Sequence, residues 1–334
     1  MAKREHRSMS AEDRLIAQYF RPLARAPGAL ALNDDAAFYA PPKGCDLVLT
    51  KDAIVAGVHF LPNDPPETIG RKALRVNLSD LAAKGAEPAG FLLALGLPER
   101  QPKWLEAFAR GLGADADAFG CPLLGGDTVK TSGSLFISIT AFGTLPSGTM
   151  VHRNGAKVGD AVMVTGTVGD AALGLRLEQA KVGKKWKPGR EEREHLIGRY
   201  HIPQPRNGLA AALRQHATAA MDVSDGLVGD LAKLCRTSDV SAAVEVTRIP
   251  LSFAASAALR ADTNLLPILL TGGDDYELLF TLPPKRVAAL HKLARDADIV
   301  VTEIGRVRAG HAAPCFLDSN GQPLAFAQPS FSHF

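Results

Sequence analysis

Cysteine is scarce and scattered in this chain. Its 334 residues include only Cys45, Cys121, Cys235 and Cys315, with no CxxC pair among them. That spacing fits free thiols in a reducing compartment better than a disulfide framework or a zinc site. Long hydrophobic runs are absent too: nothing approaches the roughly 20 residues of a membrane span. The opening MAKREHR is charged and lacks the apolar centre of a signal peptide. The expectation is a cytoplasmic protein with no membrane partner. Nor is there an excess of one charge: 38 basic and 35 acidic residues leave a net +3. So small a balance predicts no nucleic-acid partner. The two basic stretches, AKREHR and KVGKKWKPGREEREHLIGR, read as a solvated tail and a solvated connecting face.

The common nucleotide signatures are missing as well. There is no GxxxxGK[ST] phosphate loop, no HRD or DFG of a protein kinase, and no GxSxG elbow. VTGTVGDAALG resembles a dinucleotide fingerprint only loosely. His59 and His152 stand alone, without metal-ligand spacing, and taken singly each reads as a surface or capped histidine.

What remains is a globular composition, 46% hydrophobic, in a chain long enough for two domains. AEDRLIAQYFRPLA has helical spacing over residues 11–24. Asp46–Asp52 reads as a strand. PETIGRKALRVNLSDLAAKGAEP reads as a long helix ending near Gly85, with Pro88 beyond it. AGFLLALGLP and SLFISITAFGTLP read as strands, and KWLEAFARGLGADADAFG as a helix between them. AVMVTGTVGDAALGL reads as strand, glycine turn and helix, and PILLTGGDDYELLFTLP as strand, Gly-Gly-acidic turn and strand. Interleaved strands and helices give an α/β (α+β) class. GTMVHRNGAKVGD, with three glycines and a charge cluster, marks a junction between domains at 1–150 and 151–334.

Aspartates recur beside short or flexible residues: Asp34 and Asp35 in LNDDAAF, Asp52 in LTKDAI, Asp80 in VNLSDLAAKG and Asp127 in LLGGDTVK. Asp222 and Asp225 follow in MDVSDGL, then Asp274 and Asp275 in TGGDDYEL. Any one of them alone reads as a cap or turn residue. Asp80, however, sits inside an apolar helical pattern, away from the helix ends where capping residues are favoured. Asp127 follows two glycines that would let a ligand approach the backbone. Carboxylates converging without cations repel one another and resist ionising. Magnesium removes that difficulty, because it prefers oxygen ligands and phosphate oxygens. The set therefore points to a magnesium–phosphate site.

Together these motifs resemble the thiamine-monophosphate kinases, of the superfamily that includes aminoimidazole ribonucleotide synthetase and selenophosphate synthetase. DDAA, LTKDAIVAGVHF, KALRVNLSDLAAKGAEP, LLALGLP, LLGGDT, ITAFGTLP, HRNGAKVGDAVMVTGTVGDAALGL, MDVSDGL, GGDDYELLFT and the terminal FSHF occur in family order from about residue 10 to the last residue. The resemblance implies a two-domain aminoimidazole ribonucleotide synthetase-like fold. Residues 1–150 would bind ATP and magnesium and pair their sheet with a twin in a homodimer. Residues 151–334 would form a C-terminal α/β domain with nucleotide and substrate contacts. It implies phosphorylation of thiamine monophosphate to thiamine diphosphate, the last step of thiamine diphosphate biosynthesis, with ATP as co-substrate and several Mg²⁺ ions.

Carried over residue by residue, Asp35, Asp52, Asp80, Asp127, Asp222 and Asp225 would be metal ligands, with Thr50 adding oxygen. Of these, Asp52, Asp80 and Asp127 would clamp the reacting phosphates, with no residue acting as general base. Gly126, Asp127, Arg153 and Ser224 would lie at ATP; His59, Asp274 and Phe331 would contact thiamine phosphate. The chain departs from the family pattern at Asn33, where GDD is common, at Lys51, where a hydroxyl residue is usual, and at Phe331, where Trp or Tyr is common. Lysine cannot ligate magnesium while protonated. Either Lys51 points away from Thr50 and Asp52, or its ammonium replaces one ion's charge. Two other readings stay open: a sister ATP-using synthetase of the superfamily, and a nucleotide-binding sensor without catalysis, which Lys51 and Asn33 alone support.

Overall fold

In the computed structural model, which describes residues 10–99, 101–181, 183, 185–328 and 330, alternation along the chain builds two sheets. The chain divides into two compact units. The first holds the described residues up to Pro42, Leu49–Asn77 and Pro88–Phe142; the second holds Lys43–Val48, Leu78–Glu87 and the described residues from Gly143 on.

The first sheet has strands β1 (Cys45–Val55), β2 (Glu87–Leu97), β3 (Leu123–Lys130) and β4 (Phe136–Pro146), in the order β1-β4-β2-β3. β2 and β3 run parallel, with Ala94 opposite Asp127. The helical stretch expected at 11–24 starts as α1 (Ala11–Leu15) and widens into a π-turn at Ile16–Phe20. It then tightens at Arg21–Leu23, next to Pro22, whose missing N–H cannot continue a regular helix. Ser10 and Asp13 cap its start reciprocally, side chain to backbone, at 2.9 and 3.1 Å.

The long helix is α2 (Pro66–Ala83), followed by Gly85 at φ +76°. α3 (Pro102–Ala118) crosses it at two glycines. A Cβ on Gly70 would collide with the Phe108 carbonyl, and one on Gly111 with the Glu67 carbonyl. Buried Asp115 accepts a two-pronged bond from Arg75, at 2.5 and 2.9 Å, and a further one from Arg71.

The second unit holds β5 (Ala161–Thr165), β6 (Ala219–Val223), β7 (Ser241–Glu245), β8 (Glu277–Leu282), β9 (Val301–Arg308) and β10 (Cys315–Leu317), in the order β10-β7-β9-β5-β8-β6. Successive residues of central β5 feed opposite faces. Val162 and Val164 pack with Leu227, Leu231 and Leu234; Ala161 and Met163 pack with Leu209, Leu213 and Leu290. A strand covered on both sides needs a continuous apolar run rather than alternation, and AVMV supplies it. Helices α4 (Asp170–Glu178), α5 (Arg190–His201), α6 (Ala210–His216), α7 (Leu227–Thr237), α8 (Phe253–Ala261), α9 (Leu266–Thr271) and α10 (Val287–Asp296) complete the unit.

The mixed α/β class expected from the sequence is what forms. Two stretches differ: KVGKKWKPGREEREHLIGR, expected as a solvated connecting face, runs into helix α5 and buries Trp186 and Leu196, and PILLT, expected as a strand, belongs to helix α9. Pro267 sits in its first turn, where a missing N–H costs nothing, and a short apolar run fits either period. All four cysteines are free. Among the described residues, no helix is long and apolar enough to cross a membrane.

Candidate active site

One face of the first sheet opens into a cavity of about 630 Å³, whose lining includes Asp34, Asp35, Lys51, Gly126, Asp127 and Thr128. β1 delivers Lys51 to it by alternation. Thr50 and Asp52 belong with buried Val48 and Ile54 on one side of the strand; Leu49, Lys51 and Ala53 are exposed on the other. The first of the two expectations for Lys51 therefore holds: it points away from Thr50 and Asp52. Yet it shares a cavity with two carboxylates expected to bind metal, Asp35 and Asp127. The main chain of Asp52 is pinned elsewhere. Its N–H donates to Asn77 Oδ1 at 3.0 Å, and its carbonyl accepts from Ser138 Oγ at 3.3 Å.

The turn before Asp35 is strained at residues the sequence did not single out. Leu30, Ala31 and Leu32 all have positive φ, at 49°, 53° and 54°, an uncommon conformation for bulky residues. Asn33 itself has φ −107°, so it replaces glycine without strain. Its Oδ1 accepts from Arg21 Nη2 at 2.9 Å, while Asp34 Oδ1 accepts from the Asp35 N–H at 2.8 Å. Gly126 has a structural duty too: a Cβ there would strike the Leu93 carbonyl of neighbouring β2. At His59, Nδ1 accepts from the Val55 N–H at 3.1 Å, which assigns the ring proton to Nε2.

The second unit gathers another group. Asp80 and Lys84 lie one turn apart, and Lys84 Nζ donates to the Ala220 carbonyl of β6 at 2.7 Å. Burial lowers the Lys84 pKa to about 8, assisted by Arg153 and opposed by Asp222 and Asp80. Four charged groups thus share one neighbourhood, and three of them (Asp80, Arg153 and Asp222) were expected site residues. Lys84 was not expected; its place four residues after Asp80 was the available signal.

Two further motifs are stitched together by backbone bonds, Asp274 N–H to the Ser224 carbonyl and Tyr276 N–H to the Val223 carbonyl, both 2.8 Å. Gly273, at φ +77°, permits this approach, since a Cβ there would meet the Ser224 carbonyl. Asp274 and Tyr276 carry positive φ at 66° and 50°, and such strain clusters at functional sites. The neighbouring Asp275 has a different task. Its buried carboxylate accepts from the Gly169 N–H at 2.7 Å and the Ala171 N–H at 3.4 Å, at the start of α4. Burial pushes its pKa well up. Asp225 is engaged with Lys233 at 2.5 Å. Phe331 lies outside the described residues.

The donor set fits magnesium in kind. Asp35, Asp127 and Thr128 in the cavity of the first unit offer hard oxygens only, with no soft sulfur or imidazole among them. Among the described residues, no side chain pairs with the carboxylate of Asp35 or Asp127.

Residues 33–145 match the family described as AIR synthase related protein, N-terminal domain, and residues 157–314 match its C-terminal domain. A thiamine-monophosphate kinase of Caulobacter vibrioides is 44% identical over 306 residues, spanning 90% of this chain and 85% of that protein. The chain belongs to the thiamine-monophosphate kinase family. The crystal structure of thiamine-monophosphate kinase from Stenotrophomonas maltophilia superposes with a TM-score of 0.81 at 40% identity, covering 93% of this chain and 96% of that one. The structure of AaThiL complexed with AMPPCP and TMP superposes with a TM-score of 0.76 at 32% identity, covering 88% and 89%. The two-domain architecture of this kinase family is therefore the fold of the chain.

Proposed function

We propose that the chain transfers the γ-phosphoryl group of ATP to the phosphate of thiamine monophosphate, giving thiamine diphosphate and ADP. The observation that carries this is the 44% identity to a thiamine-monophosphate kinase across nine-tenths of the chain. An oxygen of the acceptor phosphate attacks the γ-phosphorus in line, and the bond to the bridging oxygen of ADP breaks. The attacking oxygen is already ionised, so no general base is required. Such a reaction is driven by positioning and charge cancellation. Mg²⁺ ions, when bound, would neutralise and orient the phosphate oxygens.

In the first unit Asp35, Thr50, Asp52 and Asp127 would hold magnesium; in the second, Asp80, Asp222 and Asp225. By the family motifs, Gly126 and Asp127 of the first unit and Arg153 and Ser224 of the second would bind nucleotide, the planar Arg153 guanidinium being suited to phosphate. His59, Asp274 and Phe331 take thiamine phosphate. The ammonium of Lys51 adds a fixed positive charge to the cavity it shares with Asp35 and Asp127. Exposed Leu49, Leu92 and Val129 on the first sheet support a homodimer. The free thiols support a cytoplasmic location.

The deciding experiment incubates the purified protein with ATP, Mg²⁺ and thiamine monophosphate. Thiamine diphosphate and ADP are expected in equal amounts, with free thiamine inert, activity lost in EDTA and restored by excess Mg²⁺. ADP without thiamine diphosphate, or full activity in chelator, overturns the reading.

A further inference from the structure

Asp225 already has a cation beside it. Lys233 Nζ lies 2.5 Å from Asp225 Oδ2 and 2.9 Å from Asp230 Oδ1. The other Asp230 oxygen accepts the Asp225 N–H at 2.9 Å. The three side chains are not equally committed. Asp230 is fully buried, whereas the side chains of Asp225 and Lys233 are 32% and 30% exposed. Asp230 therefore holds Lys233 the more firmly, since Lys233 is the cation paired with its buried charge and an unbalanced buried charge is costly. Asp225, at the rim, can exchange its partner for water or for another cation.

The helix explains the arrangement. Asp230 and Lys233 are three residues apart on α7 and share a face, while Gly226 turns the chain so that Asp225 sits just before the helix. The flexible lysine stem lets the ammonium keep Asp230 and leave Asp225, which a planar arginine fork on both carboxylates would resist.

We propose that Lys233 is a resident counter-cation at Asp225, which a divalent metal ion must displace, Asp230 retaining the ammonium when it moves. The proposal rests on the reading of Asp225 as a metal ligand. An ammonium in hydrogen-bond contact with Asp225 Oδ2 fills a lone-pair direction that a metal would use. Two cations crowded on one carboxylate also repel each other. The Asp225 position consequently fills last, at higher metal concentration than the rest. Lys233 is thus a positioning residue that sets metal affinity without touching substrate.

The test titrates the full-length protein with Mn²⁺ alone, counting free Mn²⁺ by electron paramagnetic resonance. Lys233→Met removes the competitor, so the weakest Mn²⁺ is expected to bind about three- to fivefold more tightly, the worth of a partly exposed ion pair. Lys233→Arg is expected to keep the wild-type affinity or weaken it. A merely structural lysine gives the opposite sign, since its loss would loosen the loop and weaken binding. Unchanged or weaker Mn²⁺ binding in a folded Lys233→Met protein overturns the proposal.

Should that variant fail to fold, Lys233→Gln, which keeps a hydrogen-bond donor without the charge, decides: tighter binding of the weakest Mn²⁺ supports the proposal, and unchanged or weaker binding overturns it. The thiamine diphosphate assay on wild type separates the two readings. Activity there with unaltered Mn²⁺ binding in Lys233→Met sinks the displacement alone. Inactivity with tightened Mn²⁺ binding sinks the substrate assignment alone.

Discussion

The main chain of Asp52 is held from two directions, by Asn77 and Ser138, so its charge can be removed without moving the strand. Asp52→Asn is expected to lower kcat by roughly 10²- to 10³-fold, the usual loss when one preorganised charge contact is deleted. The melting midpoint should stay within about 3 °C of wild type. Steady-state kinetics and a thermal melt on the same preparation check this, and a variant that merely fails to fold removes the role.

Asp275 makes a prediction of the opposite kind, about stability rather than rate. Its folded pKa lies well above the usual 3.8 because it is buried, despite backbone bonds at the start of α4. Above pH 3.8 the unfolded chain has released this proton while the folded chain keeps it. Asp275 therefore favours folding at low pH and loses that contribution as pH rises through the folded pKa. Asp275→Asn keeps an oxygen for the Gly169 N–H and carries no charge. Relative to wild type, its unfolding free energy in urea should rise as pH climbs from 4 to 8. A pH-independent difference would mean that the carboxyl does not titrate there.

Adjacent aspartates in one motif thus have separate fates, and the letters GGDD cannot separate them. The division depends on the φ of +66° at Asp274, which is set by the Ser224 carbonyl some fifty residues away. Lys51 was half legible: alternation gave its face, but not the cavity that face opens on.

Among elements, the pairing of α2 with α3 depends on the absence of side chains at the crossing. At Gly111 a methyl group would collide with the Glu67 carbonyl, which belongs to backbone and cannot rotate away. Gly111→Ala should therefore destabilise by roughly 1–3 kcal/mol, the range for overpacking, although alanine is the better helix former by about 1 kcal/mol. Urea unfolding measures it; a neutral or stabilising result would mean that the helices separate at little cost. The helices themselves were legible, because the long apolar periodicity of α2 and the glycine after it are local signals. α9 was not. Its short apolar run fits strand and helix alike, and packing of Leu269 and Leu270 among buried neighbours settles the choice. Nor did the letters ALAL announce positive φ at Leu30–Leu32, a conformation imposed against local preference by contacts such as the Phe38 N–H to the Gly28 carbonyl.

For the molecule as a whole, the first sheet leaves large apolar side chains in water. Leu49 is 63% exposed, Leu92 41% and Val129 42%. Solvent-facing residues of a sheet are ordinarily polar, so leucines there call for a cover, and a second copy offers the same patch to itself around a two-fold axis. The strand pattern alone showed only that β1 alternates; which face was left bare depends on the strand order and on the segments packed over the other side. Light scattering on the purified protein should give about twice the 35.3 kDa chain mass. Leu49→Lys places a charge on edge strand β1 of that face, where a dimer would have to bury it unpaired, and should yield single chains at micromolar concentration. Because Leu49 points to solvent in the single chain, its replacement leaves the fold intact, and an unchanged thermal melt would establish that. A wild-type protein that scatters as one chain, or a Leu49→Lys variant that still pairs, would leave those leucines without a twin to cover them.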